Sequence, residues 1–240
     1  MLTNPSLRNH ENIVKLLYYD LVQESDQIVV PALIIERATF GSLEDFLGSH
    51  SVPVSQDDRV LICQDLTQGL LAIHNCGIAH GDVKAANALV FEAGDESMTE
   101  DAAGLEGVPT RKRKFVAKLS DFGSIIPLEI GADSMRYYGT PMTNAPEVER
   151  QSSQHPLHAE GMLKCDAYSL GLLYVNVLAG RLDECLTTKD TLVLKHALGI
   201  IQRLNLEHEL EAAMSSALNK LLQWDANDRI SDISVLFGCV

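Results

Sequence analysis

Three short motifs occur in a fixed order near the middle of this chain, and that order constrains the fold more than any other feature of the sequence. The first is His80-Gly81-Asp82, followed by Asn87 with four residues in between. The others are Asp121-Phe122-Gly123 and Ala145-Pro146-Glu147. Alone, D-F-G is typical of an ordinary turn, and H-x-D-x-x-x-x-N could be only a polar loop. The three motifs in sequence are far more informative than any one of them.

The first third of the chain predicts short strands. Residues 12–19 and 27–35 are rich in Ile, Val, Leu and Tyr, and residues 24–26 between them have turn chemistry. A hairpin is the simplest arrangement of these two strands. A further strand over residues 115–119 leads into Asp121.

Four stretches predict helices, because their apolar residues recur at helical spacing. Ser55 and Asp58 resemble a capping box at the start of the clearest one, which ends near Gly77. The others are a short helix over residues 41–47 capped by Ser42, a largely buried helix from Asp166 to Gly180, and an amphipathic helix over residues 210–221. Strands followed by helices indicate an α+β fold.

Residues 92–114 have no apolar period and predict a disordered insertion. Their first part is acidic and rich in small residues, and residues 111–114 form a basic block. We interpret this block as a solvated loop, with a nuclear-import signal as the alternative.

Composition excludes several classes of function. The chain has 33 acidic and 19 basic side chains, a formal net charge of −14, which argues against nucleic-acid binding and against a polybasic membrane surface. No apolar stretch is long enough to span a bilayer. Five scattered cysteines without zinc spacing predict reduced thiols, hence a cytoplasmic protein with the nucleus as alternative. We interpret His74, His155 and His196 as surface or satisfied core residues.

The motifs and their flanks resemble the eukaryotic protein kinases over nearly the whole chain. Residues 7–16 are similar to the approach to the family's fourth strand, Ile35 to its gatekeeper and residues 36–38 to its hinge. The resemblance implies a protein-kinase-like α+β domain over residues 1–240. Residues 1–38 would be the remnant of a β-containing N-terminal lobe and the hinge, and residues 39–240 a mainly helical C-terminal lobe.

The resemblance also implies transfer of the ATP γ-phosphoryl group to Ser or Thr hydroxyls of protein substrates, with Mg²⁺. Asp82 would accept the hydroxyl proton, and Lys84 would lie near the transferred group and indicates the Ser/Thr preference. The implied catalytic residues are Asp82, Lys84 and Asn87. The implied magnesium ligands are Asn87 and Asp121, and the implied ATP contacts are Glu36, Ala38, Asp121 and Gly123. Glu147 is expected to pair with Arg229.

The chain departs from the family pattern at several points. It has no glycine-rich loop, no third-strand lysine and no αC glutamate before residue 12, so we expect a kinase domain incomplete at its N-terminus, with an open apolar sheet edge and weak nucleotide binding. Gly81 stands where the family has an arginine, and Thr143 where many members have tyrosine. The alternative function is a catalytically impaired pseudokinase or kinase fragment that binds a regulatory protein through its C-terminal lobe.

Overall fold

A computed structural model describes residues 4–25, 28–49, 52–94, 113–129, 136–152, 156–180 and 191–237. Within these ranges the chain begins with a short helix, α1 (Pro5–Arg8), and an antiparallel hairpin of β1 (Leu16–Ser25) and β2 (Ile28–Ile35). The predicted hairpin is confirmed. Its first strand was wrongly placed, because β1 begins four residues after the predicted start and continues through Ser25, inside the predicted turn.

The residues just before β1 join a different part of the fold. Leu119 donates its N–H to the Asn12 carbonyl at 2.9 Å, and Val14 donates to the Leu119 carbonyl at 2.9 Å. The side-chain amide of Asn12 also donates to the Ala117 carbonyl at 3.1 Å. These hydrogen bonds hold residues 12–14 away from the hairpin, which explains why β1 starts late.

The hairpin exposes much of its apolar surface. Leu21 is 69% exposed, and seven more side chains are above half exposure: Leu17, Tyr18, Tyr19, Ile28, Val29, Leu33 and Ile34. Among the described strands, β1 and β2 pair only with each other, so both outer edges are open. Pro31 removes one N–H donor from the β2 edge. The expected open apolar edge is therefore present.

The next elements are α2 (Leu43–Ser49), α3 (Gln56–Asn75) and β3 (Ile78–Ala79). Both predicted helix starts are confirmed. Ser42 accepts the Asp45 N–H at 3.1 Å, and Ser55 accepts the Asp58 N–H at 3.1 Å while Asp58 accepts the Ser55 N–H in return. Gly77 follows α3 with φ of +70°, the left-handed conformation that ends many helices.

Two short strands flank the predicted insertion. β4 (Ala88–Glu92) and β5 (Phe115–Leu119) pair antiparallel, and Ala93 donates its N–H to the Lys114 carbonyl at 2.9 Å. The two ends of the insertion therefore meet. Residues 95–112, which make up most of the predicted disordered segment, lie outside the described residues.

The rest of the described chain is mainly helical. β6 (Ile126–Pro127) pairs with β3, and then come α4 (Ala159–Ala179), α5 (Val193–Arg203) and α6 (His208–Leu221). α4 packs against α3, α5 and α6 and is buried over most of its length. Its predicted end at Gly180 is confirmed, but its predicted start at Asp166 is wrong, because the helix begins at Ala159. Sequence patterns did not indicate α5. No described helix combines the length and apolar character that a membrane crossing requires.

Candidate active site

The loop that carries Asp82 is fixed by a buried carboxylate in α4. The N–H groups of His80 and Gly81 donate to the two oxygens of Asp166, at 2.7 and 3.0 Å. Nε2 of His74, near the end of α3, lies 3.0 Å from the same carboxylate. Burial alone would raise the pKa of Asp166, but the hydrogen bond with His74 and the hydrogen bond from the His80 N–H lower it below its ordinary value. An ionised Asp166 carboxylate therefore holds the start of the loop.

His80 links this loop to the end of β5. Its Nδ1 accepts the Asp82 N–H at 3.3 Å, which leaves Nε2 to donate to the Ser120 carbonyl at 3.2 Å. Burial lowers the pKa of His80 even though carboxylates surround it, so the ring is neutral. The Phe122 ring lies 5.7 Å from the imidazole, centroid to centroid.

Gly81 is required by the backbone. Its φ is +81°, a conformation that favours glycine. A Cβ at this position would lie 2.1 Å from the carbonyl oxygen of Ser124. A side chain here would displace the turn after Asp121, which explains in physical terms why no arginine occupies this position.

Asp82 accepts three hydrogen bonds through its side chain. Thr140 donates its hydroxyl to Oδ1 at 2.7 Å, while Lys84 and Asn87 donate to Oδ2 at 2.7 and 2.9 Å. The Lys84 ammonium also donates to Thr140 Oγ1 at 2.7 Å. Partial burial would raise the pKa of Asp82, but the hydrogen bonds from Lys84, Thr140 and Asn87 lower it. The carboxylate is thus ionised at neutral pH and held in one orientation.

Asn87 and Asp121 lie on adjacent turns. Asn87, in the 3₁₀ turn Ala85–Asn87, donates its side-chain N–H groups to Asp82, which leaves its amide oxygen as the potential ligand. The N–H and hydroxyl of Ser120 donate to the Asn87 carbonyl at 2.8 and 3.0 Å. Asp121, the next residue, has φ of 53° and accepts the Gly123 N–H at 3.3 Å.

The donor set of Asn87 and Asp121 fits Mg²⁺. One amide oxygen and one carboxylate are hard ligands, and Mg²⁺ typically keeps water and phosphate oxygens in its remaining positions. Within the described ranges, no group of three His, Cys, Asp or Glu side chains forms a fuller cage. A site of this composition would depend on the nucleotide for further ligands.

The predicted hinge residues lie at the end of β2. Glu36 accepts hydrogen bonds from the Lys118 ammonium at 2.8 and 3.0 Å and from the Lys15 N–H at 2.8 Å. Ala38 follows Glu36 by two positions in the chain and is half-buried. The Glu36 side chain is therefore directed at β5, which carries Lys118.

The structure brings Asp82, Lys84 and Asn87 into direct contact and places Asp121 and Gly123 on the neighbouring turn. Glu36 is tied to the strand that leads to Asp121, and none of its contacts involves the Asp82 group. Sequence reasoning gave no role to Thr140 and assigned Asp166 only a helix start. It gave no role to Tyr137, whose hydroxyl donates to Asp166 at 2.8 Å. No local pattern marks these residues, because their partners are distant in the chain.

Glu147 and Arg229 form the expected pair. Arg229 donates from its two terminal nitrogens to the two oxygens of Glu147, at 2.5 and 3.3 Å. The guanidinium is fully buried and lies 4.7 Å from the centre of the Tyr168 ring. This contact fastens the segment that ends at Glu147 to the C-terminal part of the chain.

A family model described as the protein kinase domain matches residues 3–237. The serine/threonine-protein kinase dst2 of Dictyostelium discoideum is 28% identical over 170 residues, which cover 70% of this chain. The serine/threonine-protein kinases ULK1 of Homo sapiens and SKM1 of Saccharomyces cerevisiae are 27% identical over 222 and 179 residues, covering 92% and 71% of this chain. The chain spans 12%, 19% and 22% of the lengths of these three relatives.

Proposed function

Because the chain belongs to the protein kinase domain family, we propose that it is a serine/threonine kinase that transfers the γ-phosphoryl group of ATP to protein hydroxyls. The observation that carries this proposal is the hydrogen-bonded set of Lys84, Thr140 and Asn87 around the carboxylate of Asp82. The three relatives are named as serine/threonine kinases, which supports the choice of acceptor.

In this proposal Asp82 orients the acceptor hydroxyl and takes its proton. Its lowered pKa makes it a weak base. Proton transfer would therefore come late, when the hydroxyl oxygen has begun to bond to phosphorus and has become acidic. Thr140 and Asn87 keep the carboxylate in place, so little reorganisation is needed at the moment of reaction. The Lys84 ammonium places a positive charge next to the group in transfer.

Asn87 and Asp121 would hold Mg²⁺ on the phosphates. Bound there, the ion neutralises charge on the phosphate oxygens. The backbone at Glu36 and Ala38 is the proposed contact for the base of ATP, since the Glu36 side chain is occupied by Lys118. Gly123 lets the chain turn directly after Asp121.

A second candidate function is a catalytically impaired binding module. The specific observation in its favour is that these 240 residues contain no G-x-G-x-x-G loop, whose N–H groups would bind phosphates. In that case the helical part of the chain would bind a regulatory protein, and the hydrogen bonds around Asp82 would only stabilise the fold.

We also propose a reducing compartment, the cytoplasm or the nucleus, because the described cysteines Cys63, Cys76 and Cys165 are free thiols.

Phosphoryl transfer by the 240-residue chain tests the two candidates. The chain is incubated with Mg²⁺, γ-labelled ATP and a mixture of Ser- and Thr-containing peptides. A kinase should label the peptides, and Asp82→Asn should lower the rate by at least about 100-fold. Asp228→Asn, at an exposed position, is the matched control and should retain the wild-type rate. A folded wild type whose labelling equals that of Asp82→Asn would reject the kinase and favour the binding module.

A further inference from the structure

We propose that Tyr137 is a positioning residue: its buried hydroxyl holds the segment 137–144 against Asp166 and thereby keeps Thr140 hydrogen-bonded to Asp82. The structural part of this proposal stands alone, and its kinetic part rests on the kinase function proposed above. The residues on both sides of Tyr137 are exposed, with Tyr138 at 74%. Among residues 136–138, Tyr137 is therefore the side chain that enters the core.

The hydroxyl of Tyr137 has a specific partner in the core. Both Tyr137 and Asp166 have no exposed surface, and the hydroxyl donates to Asp166 Oδ1 at 2.8 Å. A buried phenol is costly unless its hydroxyl is hydrogen-bonded. Burial, together with the charge of Asp166, also raises the pKa of Tyr137 well above its ordinary value, so the hydroxyl keeps its proton and remains a donor.

The backbone of Tyr137 is held independently. Gln151 accepts the Tyr137 N–H at 3.1 Å and donates its own side-chain N–H to the Tyr137 carbonyl. The side-chain amide thus pairs with both polar backbone groups of one residue. Tyr137 is fastened at its ring, at its hydroxyl and at its backbone, which leaves it little freedom to move.

The position of Tyr137 is transmitted to Thr140 by a tight turn. Asn144 donates its side-chain N–H to the Tyr138 carbonyl at 2.7 Å, and its backbone N–H to the Thr140 carbonyl at 3.0 Å. Gly139 has φ of +52°, and a Cβ there would lie 2.0 Å from Asn144 Oδ1. The turn is therefore too closely packed to absorb a displacement of Tyr137.

Asp166 contacts both parts of the site, the loop that carries Asp82 and the segment that carries Thr140. One of its oxygens accepts both the Gly81 N–H, which precedes Asp82, and the Tyr137 hydroxyl, which precedes Thr140. Hydrogen bonds to the same oxygen, Asp166 Oδ1, therefore fix the positions of the loop and the segment relative to each other. This explains how the hydroxyl of Thr140 comes to lie 2.7 Å from Asp82 Oδ1 although 58 positions separate the two residues.

Hydrogen–deuterium exchange of Tyr137→Phe tests the anchoring without requiring activity. The substitution keeps the ring and removes only the hydroxyl. We expect amides of residues 137–144 to exchange at least tenfold faster, with exchange in α3 and α4 unchanged. Tyr138→Phe removes an exposed hydroxyl and should leave the exchange as in the wild type. Gln151→Ala, which releases the backbone of Tyr137, should reproduce the faster exchange. Wild-type exchange in Tyr137→Phe would overturn the proposal, whatever the result for Gln151→Ala.

Kinetics then distinguish positioning from simple packing. We expect Tyr137→Phe to lower kcat by 10- to 100-fold while KM for ATP stays within twofold, because Glu36 and Ala38 are not displaced. In a Thr140→Ala background the same substitution should have no further effect. An equal loss in both backgrounds would show that Tyr137 does not act through Thr140. If the wild type transfers no phosphate, the kinase proposal fails, and the exchange experiment still decides the anchoring.

Discussion

The buried charge of Asp166 is compensated by several partners. It has no exposed surface and accepts hydrogen bonds from the N–H groups of His80 and Gly81 and from the Tyr137 hydroxyl. A buried carboxylate is tolerated only with such compensation. The same rule applies to Arg229 and to Asp65, and it makes the effects of their substitution predictable.

Arg229→Ala should lower the free energy of unfolding by about 3–5 kcal/mol. It leaves Glu147 without a cation and removes the donors to the Gln223 and Lys164 carbonyls, which Arg229 contacts at 2.7–3.0 Å. Glu147→Ala should cost a similar amount, because it leaves the fully buried guanidinium without an anion. Denaturant unfolding of both variants and of the double variant measures the coupling. The double variant should lose less than the sum, whereas additive losses below about 1 kcal/mol would contradict a buried pair.

Asp65 in α3 should give stability an unusual dependence on pH. Burial raises its pKa to about 6, in spite of the ion pair with Arg113 and the Ala117 N–H that it accepts at 2.8 Å. Since the pKa is higher in the folded than in the unfolded state, the folded state binds more protons between about pH 4 and pH 6. The stability contributed by this group therefore decreases as pH rises through that interval.

Asp65→Asn isolates this effect. Between pH 4 and pH 7 the wild type should lose about 2 kcal/mol relative to Asp65→Asn, from a pKa difference of about two units. Denaturant unfolding of both proteins at a series of pH values measures the difference. A wild type that gains stability relative to the variant as pH rises would mean that the attraction of Arg113 outweighs burial.

At the scale of elements, the short strands β4 and β5 form backbone hydrogen bonds with segments that are distant in the chain. β4 and β5 pair from Ala88 with Leu119 to Glu92 with Phe115, across a connection of 22 residues. β5 also receives residues 12–14 along its other edge. The β1–β2 hairpin is the contrast, because most of its apolar side chains are exposed and both its edges are open among the described strands.

Replacing residues 95–112 with Asn-Gly should leave the fold intact. The pairing of β4 with β5 already brings the two ends together, and Asn-Gly forms the tight turn that such a hairpin needs. A shorter loop costs less closure entropy, so the free energy of unfolding should stay equal or rise by up to about 2 kcal/mol. Denaturant unfolding measures it. The replacement keeps Arg113, and a loss above about 2 kcal/mol would show that residues 95–112 contribute to the folded structure.

On the scale of the whole molecule, α4 organises both the core and the site. It packs against α3, α5 and α6, and from its third turn Asp166 holds the loop of Asp82. The chain has a net charge of −14, which repels a polyphosphate unless cations offset it. The proposed binding of phosphate would therefore depend heavily on Mg²⁺ and on the few cations of the site.

Mg²⁺–ATP should bind the 240-residue chain weakly, with a dissociation constant in the millimolar range, about −4 kcal/mol. The chain offers two proposed metal ligands, Asn87 and Asp121, but these 240 residues contain no glycine-rich loop to donate N–H groups to the phosphates. Calorimetric titration with and without Mg²⁺ measures the affinity. Asp121→Ala should abolish the effect of Mg²⁺, and Asp225→Ala, outside the site, should not. Micromolar binding that Asp121→Ala leaves unchanged would contradict this account.

The amino-acid sequence by itself determined the features that depend on neighbouring residues. The capping box of Ser55 with Asp58 and the helix ends at Gly77 and Gly180 follow from local backbone geometry, and all were predictable. The three motifs and their flanks were sufficient to indicate the family, and the resemblance to that family implied the pairing of Glu147 with Arg229. The start of α4 was not predictable, because its first turns lack a strong apolar pattern.

Only the tertiary structure decided what joins distant residues. Asp166 receives the His80 N–H across 86 positions, and Lys118 reaches Glu36 across 82. No periodicity encodes such contacts, since they arise when packed elements bring unrelated parts of the chain to one place. The roles of Asp166, Tyr137 and residues 12–14 therefore appear only in the fold, where burial requires each polar group to find a partner.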